Sequence, residues 1–236
     1  MRKIVGDDLL LDPAWNALET EHARFAVGNG RTKRYPAQVV PFAAVAENSA
    51  DSLKKLGELL TVGEHVYLFG PQPVDASGIK VGPPLHCHQM LGPSRLEAEA
   101  GADEIQIVRM TSGDAGAMVA LTTLAFPGFF RERTYEMANY FGIRVNGELV
   151  AMGGERLCLP ELREISAVVT RPGHTGKGYA HRVMTRLLRE HANAGFQSFL
   201  HVNVLNSRAI ALYERMGFTT VRSIALWPVS RVSQIS

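Results

Sequence analysis

The sequence predicts an α+β protein, and three stretches carry that expectation. Residues 164–188 read as a strand, a glycine-rich turn and a helix. Asn146-Gly147 separates two strand-like runs, and Asn-Gly suits the two positive-φ positions of a type I′ hairpin turn. From Glu104 to Trp227, strand-like and helix-like segments follow one another with breaks at Pro127-Gly128, Gly195 and Gly217.

The N-terminal half opens with Asp12 as N-cap and Pro13 in the first turn of a helix expected to run to about Arg24. Phe25 to Val27 and Val39 to Val45 suggest two strands around the Gly28–Arg31 turn. Ser49 or Asp51 caps a helix through Leu60, Glu64 to Phe69 reads as a strand, and Pro71 to Pro84 is a turn-rich connector. Glu97 to Asp103 is acidic and small, which predicts a linker: residues 1–100 as one α/β domain and 104–236 as a second. His86 and His88 would share a strand face around Cys87. Zinc needs three or four protein ligands, however, and no second cluster lies at metal-site spacing, so no metal is expected.

In the C-terminal half, Ile105 to Met110 alternates as a strand, and Ser112 or Asp114 caps a helix through Ala125. Glu132 to Asn139 suggests a further helix. Phe141 to Val145 and Glu148 to Arg156 form the hairpin, and Glu161 to Thr170 is the strand entering the glycine-rich turn. A helix from Gly178 ends at Gly195, Gln197 to Val204 is a strand, Asn206 to Met216 a helix, and Thr219 to Trp227 a final strand pair.

Composition bounds the function. The chain has 236 residues and a formal net charge of +2, far from the basic excess of a nucleic-acid binder. No apolar run approaches the ~18 residues of a membrane span, and no signal-peptide pattern opens the chain. Two cysteines without Cys-x-x-Cys spacing favour a reducing, cytoplasmic setting.

The chemistry sits in two motifs. In the first, Ile165 to Thr170 has strand composition, Pro172-Gly173 stops it, and Ala180, Val183, Met184, Leu187 and Leu188 have the spacing of a helix buried on one face. A glycine-rich turn at a helix N-terminus presents unpaired N–H groups in a partly positive field, which makes an anion site suited to phosphate. A nucleotide-triphosphate loop is excluded by Arg171 and Gly178, and a dinucleotide fingerprint by His181 and the lack of an acid in Phe196 to Val204. In the second motif, Asn206 and Tyr213 lie seven residues apart, on one helix face.

Thr175-x-x-Gly178-x-Ala180 after a strand ending Val-Val-Thr-Arg-Pro closely resembles the CoA-pyrophosphate loop of the GNAT superfamily of acyl-CoA-dependent N-acyltransferases, with Thr175 where the family usually has Gln or Arg. Asn206-x-x-Ala209-x-x-x-Tyr213-x-x-x-Gly217-Phe218 meets the family's second motif at every position. The resemblance covers about 104–227 and implies a mixed, mostly antiparallel central sheet flanked by helices, with the first hundred residues either a degenerate copy or an added substrate-binding domain. It implies that CoA is held by Thr175, Gly176, Lys177, Gly178, Tyr179 and Ala180, by the main chain of Val168, Val169 and Thr170, and by Asn206. It also implies Tyr213 as the general acid that protonates the leaving thiolate. Glu164 is the candidate base, with a solvated strand carboxylate as its alternative reading; Asn206 is also an ideal N-cap, Lys177 also a solvated side chain, and His174 an exposed turn residue.

The expected activity is transfer of acetyl from acetyl-CoA to a primary amine of a small molecule or peptide, by direct attack in a ternary complex. No cysteine lies in either motif to form an acyl-enzyme. A CoA-binding sensor without turnover is the alternative. Self-association as a homodimer, the acceptor's identity and the choice of acyl group stay open.

Overall fold

The structure is a computed structural model that describes residues 8–93 and 105–233. The expected linker at Glu97 to Asp103 lies outside the described residues.

Asp12 caps α1 (Pro13–Glu19) by accepting the Trp15 N–H at 2.9 Å, and proline occupies the first turn, where its missing donor costs nothing. The helix is shorter than expected: it stops at Glu19, and a 3-10 turn at Ala23–Phe25 follows. Three short strands, β1 (Val27–Asn29), β2 (Thr32–Arg34) and β3 (Ala43–Val45), make a small antiparallel sheet. Ser49 caps α2 (Ala50–Glu58), then come β4 (His65–Phe69), β5 (Ile79–Val81) inside the expected connector, and β6 (Leu85–Leu91).

The second half contributes β7 (Ile107–Arg109), α3 (Ala115–Thr123), β8 (Tyr140–Val145) and β9 (Glu148–Leu159). After them come β10 (Leu162–Thr170), α4 (Tyr179–Asn193), β11 (Gln197–Asn203), α5 (Ser207–Arg215) and β12 (Thr219–Arg231). Asn146 and Gly147 take φ of +51° and +83°, as a type I′ turn requires. The helix expected over 132–139 is only a 3-10 turn, Thr134–Glu136. There the Thr134 hydroxyl accepts the Arg131 N–H at 2.7 Å and donates to the Val39 carbonyl, competing with helical bonding and tying the segment to the first half.

Nine strands form one sheet in the order β4-β12-β6-β11-β10-β9-β8-β7, with β5 paired to β12 off this path. It is mixed and mostly antiparallel; β10 with β11 is the parallel pair among its described strands. The expected final strand pair is instead one strand of 13 residues, and its neighbour is β6 from the first half. β6 lies between β11 and β12, antiparallel to both.

The side-chain alternation of the strands sorts the core onto two faces. Leu162 and Phe199 face a cluster that includes Ala14, Leu18, Phe42 and Leu157. Ile165 and Leu200 face the cluster formed with Val183, Leu187, Tyr213 and Phe218 of the α4 and α5 layer. The first cluster mixes both halves of the chain, so the expected division near residue 100 separates sequence segments that share a sheet and a core. No helix of the described residues is long and apolar enough to cross a membrane.

Candidate active site

The site begins with a misfit between strands. β10 and β11 pair only over Leu162–Glu164 with Gln197–Phe199. Farther along, β10 bulges against β9: Ser166 faces Gly154 and Val169 faces Met152, which leaves two residues of β10 opposite one of β9. Ala167 takes φ of +54°, a left-handed conformation that costs an L-residue about 1–2 kcal/mol. β11 stays with β6 through Asn203, so the facing edges of β10 and β11 diverge. Two cavities open along that gap.

The first is a groove of about 410 Å³ bordered by Val168, Val169 and Thr170 on one side and by the turn from His174 to His181 on the other. Gly173, Gly176 and Gly178 take φ of +84°, +81° and +77°, a left-handed geometry open to glycine without strain. Gly178 is the N-cap of α4 and brings no side-chain cap. The N–H groups of Thr175 through Ala180 have no main-chain partner among the described residues. The 15-residue helix behind them adds its dipole, so the turn is built to receive an anion.

Thr175, Gly176, Gly178, Tyr179 and Ala180 all border this groove, whereas Lys177 is exposed outside it. The cations on the groove are Arg208 and Arg215 of α5. They were not anticipated, although their seven-residue spacing on a helix next to a phosphate turn is a readable signal. His174 also borders the groove, stacked near Tyr179 with ring centroids 6.3 Å apart.

The second cavity is a chamber of about 310 Å³. Its wall is aromatic: Phe126, Phe129 and Phe130, from the loop after α3, and Tyr140 of β8. The first half holds this loop in place. Phe129 stacks on Tyr67 with centroids 4.8 Å apart, the Arg133 N–H donates to the Gln38 carbonyl at 3.0 Å, and Arg131 donates to the Ala37 carbonyl. Leu85 and Cys87 of β6 also line it, with the polar side chains of Thr134, Ser166 and Asn203, while His86 and His88 project from the other face of that strand. Burial pushes the Cys87 thiol up to about 11, so it stays protonated.

Val168, Asn206 and Tyr213 border groove and chamber alike. Tyr213 is 9% exposed and packs near Phe218, ring centroids 5.9 Å apart. Desolvation pushes its hydroxyl up to about 12, which keeps the proton in place at neutral pH. Asn206 does cap α5, its side-chain oxygen accepting the Ala209 N–H at 3.1 Å, and the same residue borders both cavities.

Glu164 is placed differently from the base expected of it. It is fully buried and borders neither cavity. Arg156 donates to it from Nε at 3.0 Å and Nη2 at 2.5 Å, the Leu157 N–H at 3.2 Å, and His201 Nδ1 lies 2.7 Å away. Burial alone would raise its pKa, but Arg156 and His201 outweigh burial and hold it at about 2. A carboxylate so acidic, with its oxygens engaged, is a poor proton acceptor at neutral pH. The groups it orients, Arg156 and His201, do border the chamber.

The chain is similar in sequence and fold to known proteins. The family model described as the acetyltransferase (GNAT) family matches residues 117–218. The chain is 30% identical to a GNAT-family protein from Novosphingobium aromaticivorans DSM 12444; the match covers 95% of this chain and 99% of that one, with a TM-score of 0.83. It is similar in fold to a GCN5-related N-acetyltransferase from Kribbella flavida, with 11% identity, a TM-score of 0.61 and coverage of 99% and 97%. A GNAT-family acetyltransferase from Colwellia psychrerythraea shares the fold over 65% of this chain and 57% of its own, at 20% identity and a TM-score of 0.50. None of the curated proteins matches in sequence. With a near-full-length relative at 30% identity and the two motifs on either side of one cleft, the chain belongs to the GNAT family of acyltransferases.

Proposed function

We propose that the protein transfers an acetyl group from acetyl-CoA to a primary amine of a small molecule or peptide, by direct attack in a ternary complex. The observation that carries this reading is the meeting of a phosphate-suited groove and a separate chamber at Val168, Asn206 and Tyr213.

The CoA pyrophosphate lies against the N–H groups of Thr175 to Ala180, with Arg208 and Arg215 beside it. The pantetheine arm follows the open edge of Val168, Val169 and Thr170, where main-chain N–H groups can also receive the developing oxyanion. The amine nitrogen attacks the thioester carbonyl, the C–S bond breaks, and the thiolate takes its proton from the Tyr213 hydroxyl. The phenolate left behind is strongly basic. It recovers a proton from the new amide nitrogen, directly or through water, and the amine attacks in its neutral form, having released its ammonium proton to solvent before attack. Among the described residues bordering the two cavities there is no carboxylate to compete for that role. Glu164 acts as a positioning residue for Arg156 and His201.

The test has two stages. Acetyl-CoA at one hundred times its Kd adds about 2.7 kcal/mol of stability, which raises the melting temperature of a chain this size by roughly 5–11 °C. Thiol release is then followed with a panel of primary amines. No shift at millimolar acetyl-CoA refutes the donor. A shift without thiol release for any amine refutes the transfer.

A further inference from the structure

We propose that the acceptor is a primary amine with an aromatic or branched apolar body and one uncharged oxygen, seated in the chamber with that oxygen on the Tyr140 hydroxyl and Arg156 Nη1. This deepens the acetyl-transfer reading and rests on it.

The wall sets the body. Phe130 stands edge-on to Tyr140, centroids 5.4 Å apart at 89°, and Phe129 is stacked on Tyr67, so these rings are already fixed by other rings. Preformed aromatic faces favour an apolar or aromatic guest over a hydrated one. A chamber of about 310 Å³ is the size of a small-molecule site.

The floor sets the charge. Arg156 borders the chamber with its side chain 13% exposed, and Glu164 neutralises it through the Nε and Nη2 edge. Nη1 makes no hydrogen bond among the described residues. An ammonium elsewhere on the acceptor would meet no carboxylate among the described residues of the chamber wall, and a carboxylate on the acceptor would stand across Arg156 from the Glu164 charge. Both would be desolvated without a free counter-ion, so the guest is uncharged apart from its reacting nitrogen.

Tyr140 sets the polar contact. It is 2% exposed, it borders the chamber, and its hydroxyl is buried with no hydrogen-bond partner. Buried hydroxyls are normally paired, and an unpaired one on a residue that borders a cavity has a hydrogen bond free for a ligand. The ring reaches this place because Gly154 lies opposite it across the ladder: a Cβ there would stand 2.1 Å from Tyr140 Cδ1. Glycine at 154 therefore makes room for the tyrosine ring.

Four acceptors distinguish the alternatives by thiol release: 2-phenylethylamine, phenylalaninamide, phenylalanine and spermidine. Phenylalaninamide should show a kcat/KM at least about tenfold above 2-phenylethylamine, the worth of one good hydrogen bond, and both should exceed phenylalanine and spermidine. Tyr140→Phe should bring phenylalaninamide to within about twofold of 2-phenylethylamine, chiefly through KM. The melting shift with acetyl-CoA shows that the variant is folded and that the donor site stands. Phenylalanine or spermidine as the best acceptor would overturn the proposal, as would a Tyr140→Phe variant that keeps the tenfold preference. If acetyl-CoA shifts the melting temperature but none of the four is acetylated, the acceptor class is wrong while the donor reading survives. If acetyl-CoA gives no shift, it is the transfer reading itself that fails.

Discussion

Replacing Tyr213 by Phe removes one oxygen from the point where groove and chamber meet. With its hydroxyl at about 12, Tyr213 is ionised in about one molecule in 10⁵ at pH 7, so virtually every enzyme molecule carries the proton to be donated. In the variant the proton must come from water, a far weaker acid. Proton transfer by a positioned side chain contributes about 10²–10⁴-fold, so kcat should fall by roughly 10²-fold or more. The ring stays packed near Phe218, so stability should change by less than ~1 kcal/mol. CoA binding should persist because the phosphate contacts lie on the glycine turn. The assay is steady-state thiol release beside calorimetric CoA titration, with kcat and KM read separately. The wild type should also show no falling limb between pH 7 and 10 from Tyr213, since its proton leaves only near 12. Undiminished kcat in the variant, with CoA affinity unchanged, would refute the proton-donor role.

Two further perturbations test the polar interior. Glu164→Gln leaves the Arg156 charge without its partner and should cost about 3–5 kcal/mol in denaturant unfolding. A variant of wild-type stability with a displaced limb in the pH–rate profile would instead restore Glu164 as the base. His22, 1% exposed, is lowered from 6.5 to about 4 by burial and then by Arg24. The folded state disfavours its protonation, so its contribution is whole above pH 6.5 and is lost as pH falls toward 4. At about 1.36 kcal/mol per pKa unit the loss is about 3 kcal/mol. His22→Gln should flatten the stability profile between pH 7 and 4 by that amount; an unchanged acid slope would show that His22 does not set it.

The readable parts of the site are the local ones. Gly178 at the start of α4, and Asn206 and Tyr213 on α5, are fixed by turn chemistry and helical spacing over fewer than twenty residues. What the sequence hides is pairing at a distance. Nothing in Leu85–Leu91 says that it will lie between β11 and β12, because strand-like composition does not name a partner. Glu164 looked like an available base because its partners are remote: Arg156 across the β9–β10 hairpin and His201 on a strand 37 residues later. The same holds for Tyr140, whose place over the chamber depends on the absence of a side chain at Gly154. The helix expected over 132–139 failed for a related reason, as Thr134 is claimed by Val39 from the first half.

The first half also answers why the cleft stays open. Parallel pairing of β10 with β11 beyond Glu164 would satisfy main-chain groups that the gap leaves without a strand partner, so something must resist closure. Two restraints do. On one side, β10 follows β9 through the bulge and keeps Val169 and Thr170 opposite Met152 and Ala151. On the other, β11 is held residue for residue, Phe199 to Asn203, against Leu91 to Cys87 of β6. β6 is in turn pinned by β12 over Thr219 to Leu226. Closing the gap would break ladder bonds on at least one of these edges. β6 thus acts as a clamp on the far wall of the groove, while Tyr67 and the carbonyls of Ala37, Gln38 and Val39 hold the loop that walls the chamber. The family model matches only residues 117–218, yet the N. aromaticivorans relative aligns with 95% of the chain. That difference fits a first half that contributes to the architecture of the site while the two sequence motifs lie in the second.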